Sequence, residues 1–549
     1  MPTLSYNKND LISLVGKKMS DKELEEIINL IKPSVEEMRG EEIIIEQCAD
    51  RPDLFGIEGL ARAIRSYLGI ETGVKKYVLE NPSISITAEI VKQRPFIGAA
   101  VVRNFKASDK AIESLMNIQE VLHETMGKKR EKVAIGIHDF DKIFPPIKYT
   151  QVKGDERMIP LGEKEEMSLK EILEKTEKGK KYKHLIADSS FPAYVDSKGI
   201  FSFPPILNSE RTRVTEKTKN LLIELTGTEK KLINQVLTIL VTNFAERGCK
   251  IESVKIRYPG KTEVTPELKE EVLELNLKDV KKILGLDLSP KEIIKLLERM
   301  GYDATLIKEK LEVVIPCYRF DILHPVDLIE DIAIAYGYNN FKPEPPNIFS
   351  KGKFLEIEKI CSKARELMVG FGFQEVIRPI LTNKNKQFDK MGLKEEDVIE
   401  IENFVSEEYT CMRKWILPGL MEFLSFNKHV EYPQKIFEIG DVVLPDEKEE
   451  TMSKSLRKIA FLTSHSKASF SEIKSFTESF LTNFGIEFKI DELKHNSFIE
   501  GRVAKIVFDK KEIGFFGEIS PSVLEKWEIE MPVAACEIEL EALLEHPTY

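Results

Sequence analysis

The chain has no apolar run long enough to cross a bilayer. Its opening residues, Met-Pro-Thr-Leu-Ser-Tyr-Asn-Lys-Asn-Asp, lack the apolar core of a signal peptide, so a cytoplasmic protein is expected. Cysteine is sparse. Cys48, Cys249, Cys317, Cys361, Cys411 and Cys536 include no pair at zinc-ligand spacing. Reduced, buried thiols are expected rather than a disulfide framework. Positive charge is not in excess. A net charge of −11 argues against a surface that wraps nucleic acid as a whole. No Gly-x-x-x-x-Gly-Lys-[Ser/Thr] loop and no Gly-x-Gly-x-x-Gly turn occurs, which removes two common phosphate cradles. Internal repeats and low-complexity tracts are missing too.

What is present reads as several folded domains. At 549 residues the chain is too long for one core, and about three to five domains are expected. Hydrophobic content of 42% and charged content of 32% are ordinary for a globular protein. Residues 1–83 offer a helix around Asp21–Ile31, an alternating strand Glu42–Glu46 and a helix from Gly56 to Ile64. Residues 84–262 read as mixed α+β. They hold a buried strand Phe96–Arg103, the stretch Val133-Ala-Ile-Gly-Ile-His-Asp139, a strand over Asn220–Thr228 and a long helix near Leu232–Arg247. Residues 263–344 contain a strand at Leu275–Leu277. They also contain a helix with Ser289 at its N-cap, Pro290 at N1 and Gly301 after its end. A Pro-rich linker, Lys342-Pro-Glu-Pro-Pro346, leads into residues 345–549, where helices and strands alternate. Two basic runs, Lys128–Lys132 and Lys178–Lys183, could touch phosphate, but such runs are usually solvated loops.

The densest chemical signal is acidic. Asp321, Asp327, Glu330 and Asp331 fall within eleven residues. A helix starting at Pro325 puts Asp327, Glu330 and Asp331 at i, i+3 and i+4, on one face. Asp321, just upstream, can fold back toward them. Oxygen ligands without His or Cys suit a hard cation such as magnesium. The plainer reading is that acids in a first turn answer the helix dipole.

The strings Tyr318-Arg-Phe-Asp321, Asp327-Leu-Ile-Glu-Asp331 and Tyr336-Gly-Tyr-Asn339 resemble the signature of the beta subunit of phenylalanyl-tRNA synthetase. Val133-Ala-Ile-Gly-Ile-His-Asp-Phe-Asp-Lys142 resembles its archaeal and eukaryotic type. Arg51-Pro-Asp-Leu54 is similar to another of its patterns, with Asp50 where the family commonly has Asn. Arg51 and Asp53 are expected to fix a turn, and a lone His138 to be structural.

The resemblance implies one magnesium ion held by Asp321, Asp327, Glu330 and Asp331. It implies an α2β2 tetramer in which a separate alpha subunit joins Phe to tRNA(Phe) with ATP. It also implies a fold class: α+β multidomain, with a mixed α+β editing-type domain at 84–262 and a small helix-strand domain at 263–344 bearing the magnesium. The last domain, 345–549, is then a class II synthetase-like antiparallel sheet lacking catalytic motifs. Arg413 has no Glu close behind it, and no late Gly-rich strand ends in Arg. Thr451-Met-Ser-Lys-Ser455 looks like a class I lysine loop but has no His-rich partner motif upstream.

An apolar pocket for Phe rejects an analogue with an added hydroxyl by only about 100-fold. A second, hydrolytic site for wrongly attached Tyr meets that need. The polar residues matching the family's editing domain are Ser202, Asn208, Arg213, Glu224 and Thr226. Glu224 is the candidate reader of the phenol hydroxyl, because a carboxylate accepts such a bond strongly. Arg213 or Asn208 would steady the tRNA end or the ester oxygen, and Thr226 would place a water. The competing expectation makes Ser202, Asn208 and Thr226 turn residues, with Glu224 and Arg213 a surface pair. The competing function is a free-standing, non-catalytic paralogue that binds nucleic acid.

Overall fold

A computed structural model of the chain describes residues 2–187, 191–346 and 348–545. The fold is mixed α/β and multidomain, in two compact units, Met1–Pro345 and Pro346–Tyr549. Among the described residues no helix is long and apolar enough to cross a membrane.

The first unit opens with a three-stranded sheet in which Glu42–Glu46 lies between Thr3–Asn7 and Ser34–Arg39. Ile43 and Ile45 are buried, as the alternation predicts for a strand with one covered face. Ser20 and Glu23 form a reciprocal capping box that starts the Asp21–Leu30 helix. Arg51 and Asp53 do fix a turn. Both are buried, and the guanidinium donates to the carboxylate at 2.8 and 2.9 Å.

An eleven-stranded sheet follows. Its strands run from Leu79–Glu80 to Lys261–Thr265. Every residue of Leu221–Gly227 is buried, since both faces of the strand are covered. Leu221, Ile223 and Leu225 pack toward the helices Asp109–Glu124 and Lys230–Glu246. Leu222 packs with Tyr149, Tyr194 and Phe201. Strand alternation therefore sends Glu224 and Thr226 to the aromatic side. The two ends of the sheet path are Leu207–Asn208 and Val133–Asp139. Asn208 Nδ2 donates to Ile137 O at 3.1 Å, which brings those ends together and curls the sheet toward closure.

A third, small sheet of Glu271–Asn276, Lys310–Ile315 and Asp303–Ile307 packs under the helices Pro290–Arg299 and Pro325–Tyr336. Ser289 caps the first of these helices with Glu292, and Pro290 is at its first position.

The second unit is built on a seven-stranded sheet. Its order is Gln374–Glu375, Gln434–Pro445, Ser453–Ser464, Val533–Glu539, Lys511–Ile519, Phe498–Phe508, Lys489–Glu492. All neighbours are antiparallel except the short first strand, which is parallel. Glu537, buried in the sheet, accepts from the backbone N–H groups of Ile416 and Leu417 at 2.9 and 3.1 Å. It thereby anchors the start of the Leu417–Phe426 helix.

Candidate active site

A cavity of about 500 Å³ lies where the ends of the large sheet meet. Leu115, Ile135, Ile137 and Ile206 give it an apolar wall, and Ser202, Asn208 and Glu224 a polar one. Glu224 faces Gly136 on one neighbouring strand and Ala99 on the other. These small partners leave room for its carboxylate. A Cβ at Gly136 would stand 2.1 Å from Glu224 Oε1. The glycine is therefore required by space, not by backbone conformation.

Glu224 is 1% exposed. Its Oε1 accepts from Ser202 Oγ at 2.7 Å, and its Oε2 is buried with no partner. Ser202 pairs with Asn208 across adjacent strands, so the bond that closes the sheet also sets this polar wall. Behind Glu224, His138 Nδ1 is 2.9 Å from Thr212 Oγ1. His138 Nε2 is buried, has no hydrogen bond and lies 3.7 Å from Glu224 Oε1. A buried polar atom without a partner costs about 1–3 kcal/mol, so two side by side mark a place built to receive polar atoms.

Arg213 stands at the cavity mouth, exposed and 3.3 Å from Glu210. Glu224 and Arg213 form no surface pair. Ser202 and Asn208 are strand residues, not turn residues. Thr226 is not among the residues that line the cavity. It lies two residues along the strand, roughly 6.5 Å from Glu224, and is filled over by Arg94. Arg94 Nε donates to Thr226 Oγ1 at 2.9 Å and Nη2 to its carbonyl at 2.7 Å. Burial pulls the Arg94 guanidinium down to about 10.

The lysines of the two basic runs are exposed or half-exposed, but Arg130 is not. Arg130 is buried, donates to the carbonyls of Pro205 and Ile206, and lies over the Tyr182 ring at 4.5 Å. Lys178 lines the cavity, and burial followed by the charge of Arg130 lowers its pKa. Sequence reasoning treated His138 as structural and passed over Gly136, Arg94 and Arg130. The available signal was a glycine and a histidine inside one apolar strand.

The acidic segment is arranged differently from its expectation. The helix does start at Pro325. Asp327 caps it, accepting from the N–H groups of Leu323 and His324 at 2.8 Å. Glu330 is exposed and pairs with Lys32 at 3.1 Å. Asp331 is 1% exposed and accepts from Tyr302 and, at 2.7 Å, from Arg319. Asp321 accepts from the same guanidinium at 2.9 and 2.7 Å. Burial alone would raise the Asp321 pKa, but the Arg319 charge outweighs it and holds the carboxyl well below the usual carboxylate range. The four acids thus do not converge as oxygen ligands of one cation. Among the described residues no group of three or more His, Cys, Asp or Glu is placed to hold a metal ion. Arg319 supplies positive charge to Asp321 and Asp331, and Lys32 to Glu330.

In the second unit Arg413 donates to Glu438 Oε1 at 2.6 Å and to Asp441 O at 2.9 Å. The acid that the sequence does not place beside Arg413 comes from a neighbouring strand. Thr451–Ser455 runs into the Ser453–Ser464 strand.

Comparison with known proteins agrees with this layout. Residues 85–255 match the B3/4 domain, residues 273–338 the tRNA synthetase B5 domain, and residues 344–540 the phenylalanyl tRNA synthetase beta chain CLM domain. The phenylalanine–tRNA ligase beta subunit of Methanocaldococcus jannaschii is 46% identical over 98% of this chain and 100% of its own length. That of Pyrococcus furiosus is 44% identical over 99% of this chain and 100% of its own. A crystal structure of an N-terminal fragment of the Pyrococcus horikoshii beta subunit superposes with a TM-score of 0.60 at 38% identity. It covers 61% of this chain and 99% of the fragment. With the likeness running from end to end, the chain belongs to the phenylalanyl-tRNA synthetase beta-subunit family.

Proposed function

We propose that this chain works as the beta subunit of a cytoplasmic α2β2 phenylalanine–tRNA ligase, and that its 84–262 domain hydrolyses Tyr wrongly attached to tRNA(Phe). The partner alpha subunit activates Phe with ATP and charges the tRNA. Residues 345–549 form a class II-like scaffold without catalytic residues, following 1–83 and the small domain at 263–344.

One observation carries the editing role. A cavity of about 500 Å³ has an apolar part and, among the carboxylates that line it, a buried one, Glu224, with an unpartnered oxygen. An aromatic ring fits the apolar part, and a phenol O–H satisfies Glu224 Oε2. Phe has no such group, so its ring leaves that oxygen unpaired. Asn208 and Ser202 hold the carboxylate wall. Arg213, at the mouth, is placed to steady the tRNA end or the ester oxygen. Thr226 supports the site from a distance by fixing Arg94.

An ion bound by Asp321, Asp327, Glu330 and Asp331 would share two of these acids with Arg319, and no step of the proposal runs through it. The test is hydrolysis of preformed Tyr-tRNA(Phe) by the assembled complex, parent against Glu224→Ala. Loss of hydrolysis with Phe attachment intact supports the assignment, and unchanged hydrolysis removes Glu224 from the site.

A further inference from the structure

A second cavity, of about 290 Å³, lies wholly within the Pro346–Tyr549 unit. Two of its wall residues are almost completely buried: Gln387, 2% exposed, and Arg413, 3% exposed. Gln387 Oε1 accepts from the N–H groups of Lys414 and Trp415 at 2.8 and 3.4 Å. That fixes the amide orientation and leaves Nε2 donating to no described residue. Arg413 uses Nε on Asp441 O and Nη1 on Glu438. Its Nη2 likewise donates to no described residue. A Cβ at Gly440 would stand 2.2 Å from that Nη2, so the glycine keeps its place open.

The remaining charges on the wall are committed to each other. Lys386 pairs with Glu408 and Glu422, and Arg378 with Glu422. Arg378 Nε is buried and has no acceptor either. The lining residues thus offer spare donors, while Glu438, outside the lining, keeps a buried Oε2 without a hydrogen bond. Pro379, Leu381 and Phe426 supply an apolar side.

We propose that this cavity binds a small carboxylate anion, its oxygens on Arg413 Nη2 and Gln387 Nε2 and its short apolar body against Pro379, Leu381 and Phe426. A planar guanidinium edge beside an amide N–H suits the two oxygens of a carboxylate. The volume lies at the lower edge of the roughly 300–1,000 Å³ typical of small-molecule sites, which suits an amino-acid-sized body rather than a nucleotide. The site is separate from the editing cavity and does not depend on that reading.

The probes are phenylacetate and inorganic phosphate, each titrated into the full complex and followed by calorimetry. The variant is Gln387→Glu. It keeps the oxygen that accepts from Lys414 and Trp415 but replaces the free donor with a second carboxylate oxygen. Glu224→Ala serves as a control, since it alters only the other cavity. The expected result is phenylacetate binding at about 1 mM or tighter. Gln387→Glu should weaken it at least tenfold without moving the thermal transition, and Glu224→Ala should not. Three results would overturn the assignment: no phenylacetate binding by the parent at about 10 mM, equal binding by Gln387→Glu, or phosphate binding tighter than phenylacetate.

Discussion

Ser202 and Glu224, each 1% exposed, share a hydrogen bond of 2.7 Å that uses only one of the two carboxylate oxygens. The other oxygen has no partner, and Glu224 lies on the wall of the cavity of about 500 Å³. Ser202 thereby fixes the carboxylate and leaves one oxygen for a ligand.

Gly136→Ala should displace the carboxylate through its other oxygen, the one Ser202 holds. The new methyl would meet Glu224 Oε1 at 2.1 Å. Overpacking of this kind costs about 1–3 kcal/mol. Tyr-tRNA(Phe) hydrolysis should fall at least tenfold, while Phe attachment by the complex stays near the parent rate. Deacylation and aminoacylation measured side by side check this. Equal loss of both would point to general unfolding instead.

His138 is expected to act through Glu224. Its Nε2 lies 3.7 Å from Oε1, and Thr212 holds the opposite ring nitrogen. His138→Leu should raise KM for Tyr-tRNA(Phe) more than it lowers kcat, by about the tenfold that loss of its one hydrogen bond, to Thr212, allows. His138→Gln, which keeps an N–H donor, should recover most of it. A Gln variant as impaired as Leu would make His138 a packing residue.

Local chemistry was legible in the sequence. Ser289, Pro290 and Pro325 start helices through neighbours within four residues, so their roles could be read from spacing. The strand Leu221–Gly227 was legible from its apolar run, and Glu224 stood out as the charge inside it. What escaped depends on distant segments. Arg319 meets Asp331 twelve residues on and packs with Tyr302, so Asp331 shares a guanidinium with Asp321, a pairing that helical spacing does not show. Thr226 shares a face with Glu224, yet Arg94, from 132 residues earlier, covers it. Glu438 reaches Arg413 from another strand.

Arg319→Met should be among the most damaging single changes. It leaves Asp321 and Asp331 without their shared guanidinium, and breaking a buried pair in this way costs about 3–5 kcal/mol. Arg319→Lys should recover only part, because an ammonium lacks the planar fork that spans both acids. Denaturant unfolding of the full chain measures both. A loss below about 1 kcal/mol for Met would mean the acids are neutralised by something else.

His123 makes the 84–262 domain sensitive to acid. The ring is buried, its Nε2 accepts from Ile135 N–H at 2.8 Å, and burial pulls its pKa down to about 4. An unfolded histidine titrates near 6.5, so between these values the unfolded chain binds the extra proton. The contribution is complete above about pH 6.5 and is lost as pH falls toward 4, by roughly 3 kcal/mol in all. Parent and His123→Gln, unfolded in urea at pH 7 and pH 4.5, should differ in slope by most of that amount. Parallel slopes would show that His123 is already charged in the fold.

The most direct test of the editing account is a comparison of two substrates. Preformed Tyr-tRNA(Phe) and Phe-tRNA(Phe) are given separately to the assembled complex, with parent chain or with Glu224→Ala, and the rate of ester loss is followed. The account predicts that the parent hydrolyses the Tyr ester faster by about ten- to a hundred-fold, matching a charge-assisted hydrogen bond of about 1.5–3 kcal/mol. It predicts that Glu224→Ala removes most of that preference while charging of Phe continues. Equal rates for the two esters with the parent, or an unchanged preference in Glu224→Ala, would contradict it.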